Sequence, residues 1–316
     1  MANAPIMSFA VPNYSGLLYT KSNTQTPFIN LIAEPQYTNH VQFAVDQEYS
    51  LDTPSQPAIS EQASMTAPDT KKITRTQHTN VTQIYQRACE ISYAKESNMG
   101  TMSGINIAGQ QANPGDEWNW QISRQMLNIA NDIEFTSLQG EYNAATTDAT
   151  INKSRGILTA LTTNVIDAKG SGSAAVALTK AMIKSLVKSI FDNGGDVNGM
   201  ILMCNSFQKA AISALYEGSM QMPDSRMEAG VNVTRLITDF GDVGIVLSRA
   251  MPKDQILLFR RDVVHLVEQP TPGKGNFFFE ELAKAGAGKK GEIFGQVGLN
   301  YGPEWLHGKI TNLTTE

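Results

Sequence analysis

The triplet Asp239-Phe240-Gly241 has the residue types that hold magnesium in protein kinases, so it first suggests nucleotide chemistry. A kinase also needs a glycine-rich loop over the phosphates, a Val-Ala-Ile-Lys strand and a His-Arg-Asp loop. His-Arg-Asp does not occur in the sequence, and segment 170–175 lacks the third glycine and following valine of the phosphate loop. The triplet alone therefore does not predict a kinase site.

The residues around this triplet favour a structural role, in a turn between two strands. Apolar, β-branched runs precede it at 231–237 and follow it at 243–247. Two such runs separated by Asp239, Phe240 and Gly241 are typical of a β-hairpin, whose turn lets Gly241 take positive φ. The sequence therefore predicts a hairpin turn here.

Other motifs that could carry chemistry are incomplete. Lys274 and Lys289 each follow a glycine, but neither is followed by the Ser or Thr that a phosphate-binding P-loop requires. Glu304 and His307 have i, i+3 spacing, but a bundle-type metal site needs a second such pair and further carboxylates. The sequence thus predicts no catalytic residue, no metal ligand and no cofactor. A nucleotide-binding enzyme that uses the Asp-Phe-Gly turn stays as an alternative.

Composition narrows the class of protein further. Of the 316 residues, 41% are hydrophobic and 17% are charged, and the net charge is -5. The charged fraction is below the usual ~25%, which is typical of a surface that meets other protein. The acidic balance argues against sequence-specific nucleic-acid binding. Cys89 and Cys204 give no disulfide framework, and neither a signal peptide nor an apolar run of ~18 residues is recognised.

The first hundred residues predict two arms. Residues 1–40 hold four prolines and scattered aromatic residues, so they should lie either on their own domain or on another subunit. Strands at 41–51 and about 81–93 flank a long polar excursion, which together predict a protruding hairpin. The tip of that hairpin carries Lys71, Lys72 and Arg75, which we expect to meet an acidic neighbour.

The rest of the chain predicts an α+β fold. A long amphipathic helix should start after the N-cap Asn113 and end near Gly140. Two more helices should begin at Thr179 and Asn205, on either side of an apolar strand at 200–204. Further strands are predicted at 256–259, 263–267 and 293–301. The predicted core stripe of the long helix consists of Trp118, Ile122, Met126, Ile129 and Ile133.

This order of parts resembles the major capsid proteins of tailed bacteriophages, which have the Hong Kong 97 fold. The resemblance covers nearly the whole chain and rests on short phrases in order. Segment 296–299 departs from it, since a more polar strand that begins with Glu is expected there. The phrases are Arg155-Gly-Ile-Leu158, Gly194-Gly195, Thr238-Asp-Phe-Gly241, Leu282-Ala-Lys-Ala-Gly286 and His307-Gly308.

The resemblance implies a division of the chain into named parts. Residues 1–40 would form the N-terminal arm and 41–95 the E-loop hairpin. Residues 96–155 would form a P-domain with the spine helix, 156–250 the A-domain, and 251–316 strands that complete the P-domain.

The resemblance also implies a function without catalysis. The chain would assemble as pentamers and hexamers into an icosahedral head that encloses double-stranded DNA, which it would contact non-specifically. It would be part of the virion, assembled in the cytoplasm of the host bacterium. The implied partners are copies of itself and a portal protein, with scaffold or decoration proteins as further candidates and no membrane. The alternative is the shell protein of a cellular nanocompartment with the same fold.

Overall fold

In a computed structural model of the chain, the described residues are 20, 25–67, 69–97, 117–170, 172, 174–216, 225–228, 231–284 and 286–315. Helices and strands are mixed along this part of the chain, and the strands form three sheets. No helix within these residues is both long and apolar enough to cross a membrane.

Two helices that were predicted from local sequence patterns lie at the predicted positions. The structure confirms the helices that were predicted to begin at Thr179 and Asn205, and Thr179 caps its helix by accepting the Met182 N–H (3.3 Å). The predicted start of the long helix at Asn113 lies outside the described residues. The helices are α1 (Pro27–Leu31), α2 (Glu61–Ser64), α3 (Tyr93–Ser97), α4 (Glu117–Gln139), α5 (Ile157–Ala160), α6 (Lys180–Asp192) and α7 (Ser206–Tyr216).

The strands build a seven-stranded, a five-stranded and a two-stranded sheet. They are β1 (Ala33–Tyr37), β2 (Gln42–Tyr49), β3 (Arg75–Val81), β4 (Gln83–Ser92), β5 (Val165–Asp167), β6 (Met200–Cys204), β7 (Ser225–Glu228), β8 (Val231–Thr238), β9 (Gly241–Leu247), β10 (Ile256–Phe259), β11 (His265–Glu268), β12 (Phe277–Glu281), β13 (Gly288–Asn300) and β14 (Gly308–Thr311). The large sheet has the order β5-β14-β10-β6-β9-β8-β7. The five-stranded sheet has the order β1-β11-β13-β12, with β4 also paired to β13, and β2 pairs with β3 alone.

Two hydrophobic clusters lie on opposite faces of the seven-stranded sheet. In β6, Ile201 and Met203 belong to the cluster that also contains residues of α4, whereas Met200 and Leu202 belong to the cluster under α6. Strand β10 alternates between the same two clusters. Both strands read as unbroken apolar runs because side chains that point either way are buried.

The pairing of the early strands corrects one prediction. The predicted strand at 81–93 exists as β4, but it pairs with β13 rather than with β2. The partner of β2 is β3, whose sequence RTQHTNV is too polar to show an apolar alternation. Its first four residues are exposed on both faces and give no periodic apolar signal, so the hydrophobic pattern could not reveal the strand.

The C-terminal strands are shared between the two larger sheets. Strands β10 and β14 pair within the seven-stranded sheet, next to β6 and β5. Strands β11, β12 and β13 belong to the five-stranded sheet. The division of the chain into an A-domain and a P-domain at residue 250 stays a proposal, and strand pairing adds that segment 251–316 enters both sheets.

Candidate assembly interface

The E-loop hairpin, which we define as β2, β3 and the connecting residues 50–74, is the most exposed part of the described chain. Its residues 51–67 and 69–78 are all exposed, although they include a helical turn at α2. Large apolar side chains in this segment are 58% to 86% exposed, so the segment offers apolar area to another protein. These side chains are Leu51, Ile59, Met65 and Ile73.

The predicted basic residues lie in two different places of the hairpin. Lys71 and Lys72 lie in the connecting segment, where Lys71 forms an exposed ion pair with Asp52 (2.7 Å). Arg75 is the first residue of β3 and pairs across the ladder with Tyr49, so it is not at the tip. Exposed ion pairs contribute only ~0.2–1 kcal/mol. The pair with Asp52 therefore leaves Lys71 available to a neighbouring acidic group.

The root of the hairpin is fixed by a buried amide. The Asn80 side chain is fully buried, and its Nδ2 donates to the carbonyls of Leu299 (2.7 Å) and Arg155 (3.1 Å) and to Ser154 Oγ (3.3 Å). Its Oδ1 accepts the N–H groups of Val81 and Arg155, both at 2.9 Å. This residue was not predicted from the sequence, because nothing local distinguishes a buried asparagine with five hydrogen bonds from one in a loop. The hairpin thus has a rigid root and an exposed end.

The same root packs against segment 296–299, which departs from the resemblance. A Cβ at Gly298 would lie 2.7 Å from Cε1 of Phe43 and 2.9 Å from the carbonyl oxygen of Val81. Phe43 is a buried residue of β2 at the root of the hairpin. Glycine at position 298 therefore gives the hairpin root the space to pack on β13.

The structure places the predicted core stripe of the spine helix α4 only partly in the core. Ile129 and Ile133 are buried at 3% and 6% exposure, and Ile122 packs against them half-buried. Trp118 is half-buried and makes an edge-to-face contact with Phe279, with ring centroids 5.7 Å apart. Met126 is not a core residue, since it is 42% exposed. The periodicity of a helix marks a face, but burial requires another element over that face, and the fully buried residues of α4 lie in its C-terminal half.

A buried carboxylate ties the N-terminal segment to this helix. Glu134 Oε1 and Oε2 accept the backbone N–H groups of Phe28 (2.9 Å) and Ile29 (3.0 Å) at the start of α1. The Ser248 hydroxyl lies 3.4 Å from Oε1. Burial raises the pKa of Glu134 to about 7, although these donors favour the ionised form and act in the opposite direction.

This raised pKa predicts a pH dependence of folding. Between the unfolded pKa near 4.5 and the folded pKa near 7, the folded state binds more protons than the unfolded state. The contribution of Glu134 to stability is therefore complete below pH 4.5 and is lost as the pH rises through 7. We expect the unfolding free energy of unassembled wild-type subunits, relative to Glu134→Gln, to rise by roughly 2–3 kcal/mol from pH 7.5 to 4.5. Denaturant melts of both proteins measure this difference, and a difference that does not change with pH would refute the assignment.

The Asp-Phe-Gly triplet occupies a tight turn between β8 and β9. Thr238 pairs with Gly241 across the ladder, so that Asp239 and Phe240 form a two-residue loop. Gly241 has φ of 141°, and a Cβ there would come within 3.3 Å of the backbone of Asn198. Glycine is thus needed for both conformation and space.

The two loop residues of this turn contact helix α6. The Asp239 carboxylate pairs with Lys184 Nζ at 2.5 Å, and the ring of Phe240 lies 5.5 Å from that of Phe191. Both contacts fasten the turn to the helix that covers the sheet. The triplet therefore forms a turn that packs on α6, which agrees with the hairpin turn predicted from the sequence.

Glu304 and His307 each form hydrogen bonds with nearby residues of the chain. Glu304 accepts hydrogen bonds from the N–H and hydroxyl groups of Thr162 and Thr163, which lower its pKa although burial opposes this. His307 is fully buried, and its Nε2 lies 2.7 Å from the carbonyl oxygen of Tyr301. Burial lowers the pKa of His307 to about 4, so the imidazole is neutral at pH 7. The two side chains have separate structural partners.

Solved structures with the same architecture are viral and cellular shells. The Cyanophage A-1(L) capsid is 12% identical with a TM-score of 0.65, and the match covers 97% of each chain. The capsid of the native GTA particle is 14% identical with a TM-score of 0.59, again over 97% of each chain. The holo-SrpI encapsulin complex from Synechococcus elongatus PCC 7942 is 12% identical with a TM-score of 0.60, over 94% of this chain and 93% of that one. The fold is therefore the Hong Kong 97-type fold of phage capsids, as the resemblance implied.

Sequence comparison identifies the family within this class. The family model described as SU10 major capsid protein matches residues 3–314. The chain belongs to the SU10 major capsid protein family. Curated protein sequences give no significant match.

Proposed function

We propose that this chain assembles, as pentamers and hexamers, into the icosahedral head of a tailed bacteriophage and encloses its double-stranded DNA. The observation that carries the proposal is the E-loop hairpin, which combines a buried, hydrogen-bonded root with an exposed apolar end. The large apolar side chains of the connecting residues 50–74 are exposed in their own subunit, so they gain from contact with another one.

A surface of mixed polar and apolar residues on β4 and α4 offers a place for such contacts. Ile84 on β4 and Phe135 on α4 are 57% and 53% exposed, and they line one shallow cavity of about 430 Å³. Asp132 lies in the same cavity, next to Arg87. Ile84 and Phe135 offer apolar contacts to the exposed apolar side chains of residues 50–74 in a neighbouring subunit, and Asp132 offers a carboxylate to Lys71 or Lys72 there.

Repeated contacts of this kind can build a closed shell. Such a contact is heterologous, because it joins two different surfaces of neighbouring subunits. The shell closes when the rotation from each subunit to the next returns to the first subunit. Each contact can be modest because every subunit is held by several neighbours at once. The portal protein, and scaffold or decoration proteins, would be further partners. The completed particle would be the virion head, assembled in the host cytoplasm.

The enclosed DNA would be contacted without sequence readout. The subunit carries a net charge of -5, which disfavours tight attraction to phosphates. Weak contact suits a container whose content must be packed and released.

The nanocompartment alternative is favoured by one observation, the similarity to the SrpI encapsulin complex. The two functions differ in what the shell encloses. The test is to isolate particles that contain this chain from their natural source, image them by electron microscopy, and measure nuclease-protected nucleic acid. We expect closed icosahedral particles with protected double-stranded DNA of constant length. Closed shells that hold a single protein species and no DNA would establish the nanocompartment instead, and failure to find any closed particles would contradict both.

A further inference from the structure

Three side chains that could bind a metal converge near the root of the E-loop hairpin. Asp46 and Glu48 are two residues apart on β2 and therefore point to the same face. His78 on β3 is the residue directly opposite Asp46 in the ladder. One ligand atom from each of the three lies within 4.8 Å of the others.

The cluster has a closed side and an open side. The Asp46 side chain is only 4% exposed, whereas that of His78 is 48% exposed, and His78 Nδ1 lies 2.8 Å from Asp46 Oδ1. A solvated ion could therefore reach the carboxylates past the imidazole ring. An entry path of this kind is a requirement for a functional binding site.

The cluster also carries unbalanced negative charge. Glu48 Oε1 is buried and has no hydrogen-bond partner within the described part of the chain. Burial, followed by the hydrogen bond and the charge of the neighbouring Asp46, raises the pKa of Glu48. The Trp305 indole acts on Glu48 in the opposite direction, as does His78. A buried carboxylate oxygen without a partner is costly, and two adjacent carboxylates need either a shared proton or a cation.

We propose that Asp46, Glu48 and His78 bind a divalent first-row metal ion of the Zn²⁺ or Mn²⁺ type. Two carboxylates and one imidazole are a donor set that such ions accept, whereas Ca²⁺ and Mg²⁺ prefer oxygen ligands alone. Three protein ligands leave coordination positions for water, which the exposed side of the cluster supplies. The ion would join β2 to β3 and would fill the partner position that Glu48 Oε1 lacks.

Calorimetric titration of chelator-treated, full-length protein with Zn²⁺, and separately with Mn²⁺, tests the site. We expect one ion per subunit for the wild type, and at least ~10-fold weaker binding for Asp46→Asn and for His78→Gln. His40→Gln and Asp52→Asn are matched controls, because both change exposed residues of the same types outside the cluster. These controls should bind the metal as the wild type does. At a 100-fold excess over Kd, the ion should raise the melting temperature by about 5 °C.

A second measurement keeps the proposal testable if a variant fails to fold. The visible d–d bands of wild-type protein loaded with Co²⁺ should show coordination by nitrogen and oxygen, and its near-ultraviolet spectrum should lack the thiolate charge-transfer band that Cys89 or Cys204 would produce. Wild-type protein that binds neither Zn²⁺ nor Mn²⁺ would overturn the proposal. Unchanged metal binding in both cluster variants, or a thiolate band, would overturn it as well. None of these outcomes depends on shell assembly.

Discussion

Replacement of residues 50–74 by an Asn-Gly turn is expected to give a folded subunit that no longer closes into shells. The two-residue turn joins β2 to β3 and keeps their ladder and the buried Asn80 in place. The described side chains of residues 50–74 are exposed, so the melting temperature should stay within about 2 °C of wild type. Sedimentation and electron microscopy should show small oligomers instead of closed particles.

A charge-reversal variant separates two contributions of this segment. Lys71→Glu with Lys72→Glu keeps the apolar side chains, so assembly should weaken less than in the deletion. The loss should also depend on salt, because the Debye length is only ~8 Å at physiological ionic strength. Normal closed particles from the turn variant would show that the E-loop hairpin is not an arm between subunits.

The second large effect is expected inside the subunit, at Ile129 of the spine helix. Ile129→Asp places an unpaired carboxylate among buried apolar side chains, where Ile129 itself is 3% exposed. We expect a loss of about 3–5 kcal/mol in the free energy of unfolding. Thermal melts should fall by roughly 6 °C or more.

Met126→Asp is the matched control for this prediction. It introduces the same residue one turn away on the same helix, at a position that is 42% exposed. Its cost should stay within about 1 kcal/mol, which reflects helix propensity and partial exposure. Equal melting temperatures for the two variants would mean that α4 does not bury the face assigned to it.

The contrast between Ile129 and Met126 shows what a sequence can and cannot predict. The apolar period places both residues on one face, and that much is a local property of the helix. Their burial differs because it depends on which elements cover each turn. The strand β6 was predictable for the opposite reason, since it is covered on both faces and so is apolar at every position.

The features that escaped prediction are those made by contacts distant in sequence. Strand β3 has no apolar face, and the pairing of β4 with β13 joins segments about two hundred residues apart. Without β3 in its register, nothing places His78 opposite Asp46. Glu134 looks like an ordinary helical carboxylate until the start of α1 is set beside it.

The seven-stranded sheet separates two hydrophobic cores, one on each of its faces. Because β6 and β10 send alternate side chains into both cores, neither core can loosen while the other keeps its own packing. The two cores should then unfold together, in one cooperative transition. In an assembly of such subunits, we therefore expect fully folded and fully unfolded subunits to dominate, with few that keep one core and lose the other.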